Sequence, residues 1–232
     1  MDDHSSGRQA ATTIWPSLRH VTVVERDPAV IGLGRRLATS ATHPAVKDAM
    51  WRRSEIRADP NTPPADLISL SYVLGELPAA VRDPVVRRPA GRATTVAVVE
   101  PGTPAGHARV LAARDQLIGL GMRVAAPCPH AASCPLAGED GCHFSARLPR
   151  TGLHRRLKSA ELGFEDEKFS YVIATSASAI PATSRVLRHP RTRKGLVTLT
   201  LCADGLREEN VSKRHGDLYR AARSVTWGDP WL

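Results

Sequence analysis

TTVAVVEPGTPAGHARVLAARDQLIGLGMRVAA, residues 94–126, holds a whole strand–turn–helix–strand unit. Thr94 to Glu100 is valine-rich and reads as a buried strand. Pro101-Gly102-Thr103-Pro104 is a turn, with Thr103 as helix cap and Pro104 at the first helical position. The helix Ala105–Leu120 sets Val110, Leu111, Leu117 and Ile118 on one side, and Gly121 ends it. Met122 to Ala126 is a second, short strand. The same alternation appears upstream. His20 to Glu25 reads as a strand, Asp27-Pro28 as a cap and first helical residue, and Ala29 to about Ala41 as a helix presenting Val30, Leu33 and Leu37. Ala65 to Tyr72 is the next strand, and Gly75 to Pro78 begins a turn. Downstream, Phe169–Ala174 and Gly195–Cys202 are strands, and Leu218–Ser224 is a closing amphipathic stretch. Strands alternating with helices imply an α/β fold with a parallel sheet covered on both faces.

The chain is 232 residues long, enough to bury an ordinary core. With 42% hydrophobic and 24% charged residues, wholesale disorder is excluded. No run approaches 18 apolar residues and mean hydropathy is −0.24, so a transmembrane helix and a membrane partner are not expected. The start, MDDHSSGRQA, lacks the order of a secretory signal, and the thiols fit a reducing compartment. A cytoplasmic location is the expectation. Residues 1–13 are expected to be mobile, 14–126 to form the main core, 127–168 to be a cysteine-rich insertion with a basic segment, and 169–232 to add strands to the same core.

Ligands of open α/β sheets sit at the carboxyl ends of the strands. Glu25, Ser71, Tyr72 and Glu100 all fall there. Glu25 suits a carboxylate accepting two ribose hydroxyls, and equally a cap for the following helix.

All four cysteines lie in the second half: Cys128, Cys134, Cys142 and Cys202. The first three sit in a Pro/Gly-rich loop with spacing C-x5-C-x7-C, and the fourth ends a strand 60 positions later. Three thiols in one loop plus one from elsewhere is how a chain closes around a shared centre. Structural zinc sites favour shorter knuckles, whereas four cysteines at wide spacing suit a cubane iron–sulfur cluster. Spacing alone leaves zinc open, with His130 and His143 as substitute ligands. A single nucleophilic cysteine for methyl transfer fits poorly with four cysteines sharing one site.

The net charge is +9 and it is uneven. Residues 1–142 carry 16 basic and 14 acidic side chains, and 143–232 carry 16 and 9. A basic second half points to a polyanionic partner, most simply nucleic acid. The candidate contacts are Arg155, Arg156 and Lys158, then Arg185, Arg188, Arg191, Arg193 and Lys194, with Lys213-Arg214 beyond. At 4% aromatics, base stacking is not the expected mode, and backbone contacts to structured RNA are.

Several strings together resemble a known family. They are Cys128-Pro129-His130, Cys134-Pro135, Cys142-His143-Phe144-Ser145, Phe164 to Tyr171, Ser71 to Leu77, Val99 to Pro104, and Arg220-Ala221-Ala222-Arg223. In that order they are similar to the methyltransferase-like proteins of small ribosomal subunit assembly, found in mitochondria and bacteria. The resemblance runs from about residue 14 to the end. It implies a Rossmann-like S-adenosylmethionine methyltransferase sheet with a cysteine-rich insertion, a [4Fe–4S] cluster on Cys128, Cys134, Cys142 and Cys202, and small-subunit ribosomal RNA as partner. It also implies a cofactor wall in which Glu25 meets ribose, Asp59 lies beside adenine, and Ser71-Tyr72 stands where amino-group methyltransferases carry an Asn/Asp-Pro-Pro-Tyr motif, absent here.

One departure stands out. No D-x-G-x-G-x-G loop precedes Val21, and Gly7 is the one glycine of the first 20 residues. The sheet is therefore expected to lack its first strand and glycine loop, as a truncated gene or misplaced start would leave it. The strands Val21–Glu25 and Leu67–Tyr72 then lose the partner expected between them. The function expected is a methyltransferase-like iron–sulfur protein that assembles the small ribosomal subunit by binding its RNA. The alternatives are an active S-adenosylmethionine-dependent rRNA methyltransferase and a zinc-stabilised RNA-binding module. No catalytic residue is assigned.

Overall fold

The computed structural model describes residues 15–56, 62–136, 138, 141–157, 161–178 and 180–232. The expectations for residues 1–13, Asp59 and Lys158 lie outside these. The chain divides into two units, Met1–Thr62 and Pro63–Leu232, instead of one core spanning 14–126.

In the first unit, β1 (Thr22–Glu25) pairs in parallel with β2 (Met50–Arg53), a strand that carries no alternation in sequence and was not expected. Between them runs the helix Pro28–Thr39. Its cap is as read: Asp27 Oδ1 accepts from the N–H groups of Ala29 (2.7 Å) and Val30 (3.4 Å). Its buried face is not. Val30 and Leu37 are exposed, while Ile31, Gly34 and Ala38 are buried, one position further round. The reason is Trp51 on β2: a Cβ on residue 34 would stand 2.0 Å from its ring, so only the glycine stripe admits the indole.

The second unit holds two five-stranded sheets. The first comprises β3 (Ala65–Ser71), β4 (Ala93–Pro101), β5 (Arg123–Ala126), β6 (Phe144–Pro149) and β7 (Phe164–Thr175). β3 and β4 are parallel; β7 runs antiparallel to β4, and β5 and β6 share its other edge. The sheet is α/β as expected but mixed, not all-parallel. β7 enters from the β6 hairpin arm, which needs no helical crossover to set its direction. The free edge of β3 has no strand partner among the described residues. The core lies along β4 and β7, where Val96, Val98, Val172 and Ala174 are fully buried under the helices Ala79–Ala90 and Pro104–Gly119. Thr103 Oγ1 caps the latter, accepting from Gly106 N–H at 3.1 Å.

The strands after Thr175 do not join this core. β8 (Ser184–Val186), β9 (Arg191–Arg193), β10 (Leu196–Cys202), β11 (Leu206–Ser212) and β12 (Pro230–Trp231) form the second sheet, with β10 bonded to β8, β9 and β11. The strict alternation Val197, Leu199, Leu201 faces the helix Asp217–Ser224 and builds a separate core with Val186, Val211, Ala222 and Trp231. Having its own apolar face to bury, this segment makes a sheet of its own.

Candidate metal centre

β5 ends at Ala126, and Pro127 leads into the cysteine loop. Cys142 lies two residues before β6, and Cys202 closes β10. Three thiols therefore come from the first sheet's connection and one from the second sheet. All four line one cavity, with Pro127, Pro129, His130, Arg185 and Leu187 among its walls. It encloses about 330 Å³ of empty space, part of it open to solvent. Among the described residues, no three Cys, His, Asp or Glu side chains converge tightly enough to hold a single metal ion. The four thiols ring that one cavity. None is in a disulfide.

The thiols feel one another. Burial, then Cys128, Cys134 and Cys202, push the Cys142 thiol up to about 12. Burial, then Cys128 and Cys134, push Cys202 up to about 11. Burial raises Cys128 as well, opposed chiefly by Arg114. Without a cationic centre these groups keep their protons, and a metal or cluster would replace them.

The surroundings hold the ring in place. Ser170 Oγ on β7 donates to the Cys142 carbonyl oxygen at 2.7 Å. His130 Nε2 stands 3.6 Å from Cys202 Sγ, and His130 Nδ1 is buried without a partner among the described residues. Trp227 sits edge-on to His143 and His189, with ring centroids at 5.2 and 5.0 Å. Arg114, only 2% exposed, reaches from the helix Pro104–Gly119 to the carbonyls of His130 (2.9 Å) and Ala132 (2.7 Å). No motif announces Arg114. The one sequence signal is a charge on the helix stripe Val110, Ala113, Arg114, Leu117, at the spacing of a buried face.

The RNA candidates separate. Arg185 turns inward: its Nε–H donates to Pro127 O (2.9 Å) and its Nη1–H to Gly228 O (3.0 Å), so it is part of the cavity wall. Arg188 is half-buried, its guanidinium 5.9 Å from the Trp227 ring. Arg191 is exposed and paired with Glu208. Arg155 and Arg156 are exposed on the short helix Gly152–Leu157 beyond β6. Arg193 and Lys194 form the turn into β10, and the fold brings Lys213 and Arg214 beside it: Lys213 N–H donates to Gly195 O at 3.0 Å. All four are exposed and without an ion pair among the described residues.

The cofactor candidates sit at strand ends. Glu25 Oε1 accepts from the N–H groups of Arg26 (2.7 Å) and Asp27 (2.8 Å), which fixes its carboxylate at the end of β1. Ser71 and Tyr72 follow β3. Tyr72 has φ 55°, an uncommon conformation for a bulky residue, and its hydroxyl donates to Glu167 Oε1 at 3.2 Å. Glu100 is fully buried, accepting from Leu74 N–H at 2.8 Å and from Arg109 Nε–H at 2.7 Å. It braces the fold and faces no open site.

The family described as mitochondrial small ribosomal subunit Rsm22 matches residues 3–232. The chain is 32% identical to the human (Homo sapiens) ribosome assembly protein METTL17, mitochondrial, over 95% of its own length and 51% of that protein's. It thus spans about half of that relative. A solved structure from Thermoplasma acidophilum, described as a methyltransferase, aligns at 14% identity with TM-score 0.44, over 75% of this chain and 65% of that one. This last likeness is too distant to bear on the fold. On the family match, which spans nearly its whole length, the chain belongs to the mitochondrial small ribosomal subunit Rsm22 family.

Proposed function

We propose that this chain serves in assembly of the small ribosomal subunit, as an iron–sulfur protein that grips ribosomal RNA. The observation that carries the reading is the ring of Cys128, Cys134, Cys142 and Cys202 around one cavity. The donor set is all sulfur, which suits soft iron–sulfur chemistry. When bound, such a cluster supplies redox-capable iron and a rigid four-point tie. The chain's residues do the rest. The thiols anchor it, Ser170 fixes the Cys142 backbone, and Leu187 with the loop prolines limits water at the ring. The exposed turns Arg193-Lys194 and Lys213-Arg214 neutralise phosphates without reading bases. The family's name and the human relative's role in ribosome assembly support the small subunit as partner.

Iron, zinc and acid-labile sulfide per chain, measured after anaerobic purification, test the metal reading. About four irons and four sulfides with broad absorption near 400 nm are expected. One zinc without sulfide would overturn it. Titration of a small-subunit rRNA fragment at rising salt tests the other half, with affinity falling steeply as salt rises.

One observation favours a second reading, an S-adenosylmethionine-dependent rRNA methyltransferase. Tyr72 holds an unusual backbone conformation at a strand's carboxyl end, where such folds bind ligands. Calorimetric titration with S-adenosylmethionine tests it; no heat of binding would remove it.

A further inference from the structure

Arg114 is an expensive residue to bury. Its guanidinium is 2% exposed, and Asp115, its ion-pair partner at 2.7 Å, is itself 68% exposed. Nη1 is used by Asp115, and Nη2 by the carbonyls of His130 and Ala132. The Nε–H has no partner among the described residues. The guanidinium's charge opposes the rise that burial gives the Cys128 thiol. A buried charge with a spare donor needs a compensating anion. The neighbouring cavity offers one. Four thiolates bring four negative charges, and a dipositive centre, whether Zn²⁺ or a [4Fe–4S]²⁺ core, cancels two. Two negative charges remain in a half-buried pocket. Arg185, in the cavity wall itself and opposite Cys202 in the β8–β10 register, is the second inward-facing cation.

We propose that Arg114, assisted by Arg185, is the buried counter-charge of the four-cysteine centre, holding the cysteine loop by two carbonyls while offsetting the charge that the bound centre leaves on the sulfurs. This rests on the metal reading above and assigns Arg114 as a positioning residue. It also takes Arg185 away from the RNA surface.

Arg114→Lys keeps the charge but not the two-carbonyl clamp; Arg114→Gln loses the charge. Reduction adds an electron to an already anionic centre, so a nearby cation favours the reduced form. Anaerobic redox titration followed by electron paramagnetic resonance should show Arg114→Gln disfavouring reduction about tenfold, a shift of 59 mV to lower potential. Arg114→Lys should stay close to the parent protein. An Arg114→Gln protein with full iron and an unshifted potential would overturn the proposal, as would equal shifts in both variants. If Arg114→Gln does not load, loading of Arg114→Lys supports the charge role and its failure to load overturns it. Zinc without sulfide in the parent protein would sink the cluster reading alone. Chelator competition then reads the same pair: faster zinc loss from Arg114→Gln than from Arg114→Lys supports the counter-charge, and equal loss refutes it.

Discussion

Replacing Cys202 by alanine tests whether the centre ties the two sheets of the second unit together. Cys128, Cys134 and Cys142 lie in one short loop off the first sheet, whereas Cys202 closes β10 of the second. A centre bound by all four would close three loops, of 6, 8 and 60 positions. Loop-closure entropy scales with the logarithm of loop length. Losing the 60-position tie costs about 4 kcal/mol at 25 °C, and Cys134→Ala, which merely fuses the two short loops, costs about 2 kcal/mol. For a chain of this size the first figure corresponds to a fall in melting temperature of about 8–16 °C.

The assay is denaturant and thermal unfolding of both variants at equal metal content, with metal measured per chain. Amide exchange across β10 and β11 resolves the second sheet, in whose core Trp231 is buried. The expected pattern is a larger loss in Cys202→Ala, with exchange rising first in the second sheet. Equal losses in the two variants, or an unchanged second sheet in Cys202→Ala, would refute the cross-link.

Glu100→Ala leaves Arg109 facing a fully buried, emptied position and should cost about 3–5 kcal/mol by urea unfolding. His107 is buried and its pKa is lowered by burial, then by His143. The fold resists its protonation, so stability is complete above the ordinary value near 6.5 and falls as pH drops below it. Melting scans from pH 8 to 5.5 should show the fall, flattened in His107→Asn. Exchanging Arg193, Lys194, Lys213 and Arg214 for glutamine should reduce the slope of log affinity against log salt by about 3 in RNA titrations, without altering melting.

The strand–turn–helix run from 93 to 126 was legible because each local signal agreed: valines at β period, a Thr-Pro cap, a closing glycine. Observed bounds, Ala93–Pro101 and Pro104–Gly119, differ from the reading by a residue or so. The four cysteines were legible as a set because composition isolates them. The buried face of the helix Pro28–Thr39 was not, since Trp51 selects it from 17 positions away by demanding a glycine. Strand β2 reads Met-Trp-Arg-Arg, which has neither β alternation nor a turn signal, and pairing with β1 alone makes it a strand. Arg185 looked like its exposed neighbours because a basic run does not say which side chain turns inward. Its carbonyl partners, Pro127 and Gly228, are distant in sequence.

The placement of β10 joins the two halves of the proposed function. Cys202 is its last residue, and the turn Arg193-Lys194-Gly195 leads into its first, with Lys213 bonded back across that turn. At about 3.4 Å per residue, this strand spans roughly 20 Å from thiol ring to basic patch. Its sheet has a modest core of its own, seven buried side chains under one short helix, and such small cores are marginal alone. Binding a centre at Cys202 would order β10, and an ordered β10 presets the cations at its far end. RNA then has less ordering left to do. Stripping the metal with a chelator under argon should therefore weaken RNA binding though no metal ligand lies in the patch. In Cys202→Ala the same weakening should be present before any chelator is added. Equal RNA affinity and equal salt slope for loaded and stripped protein would mean that β10 stands unaided and that the two sites act apart.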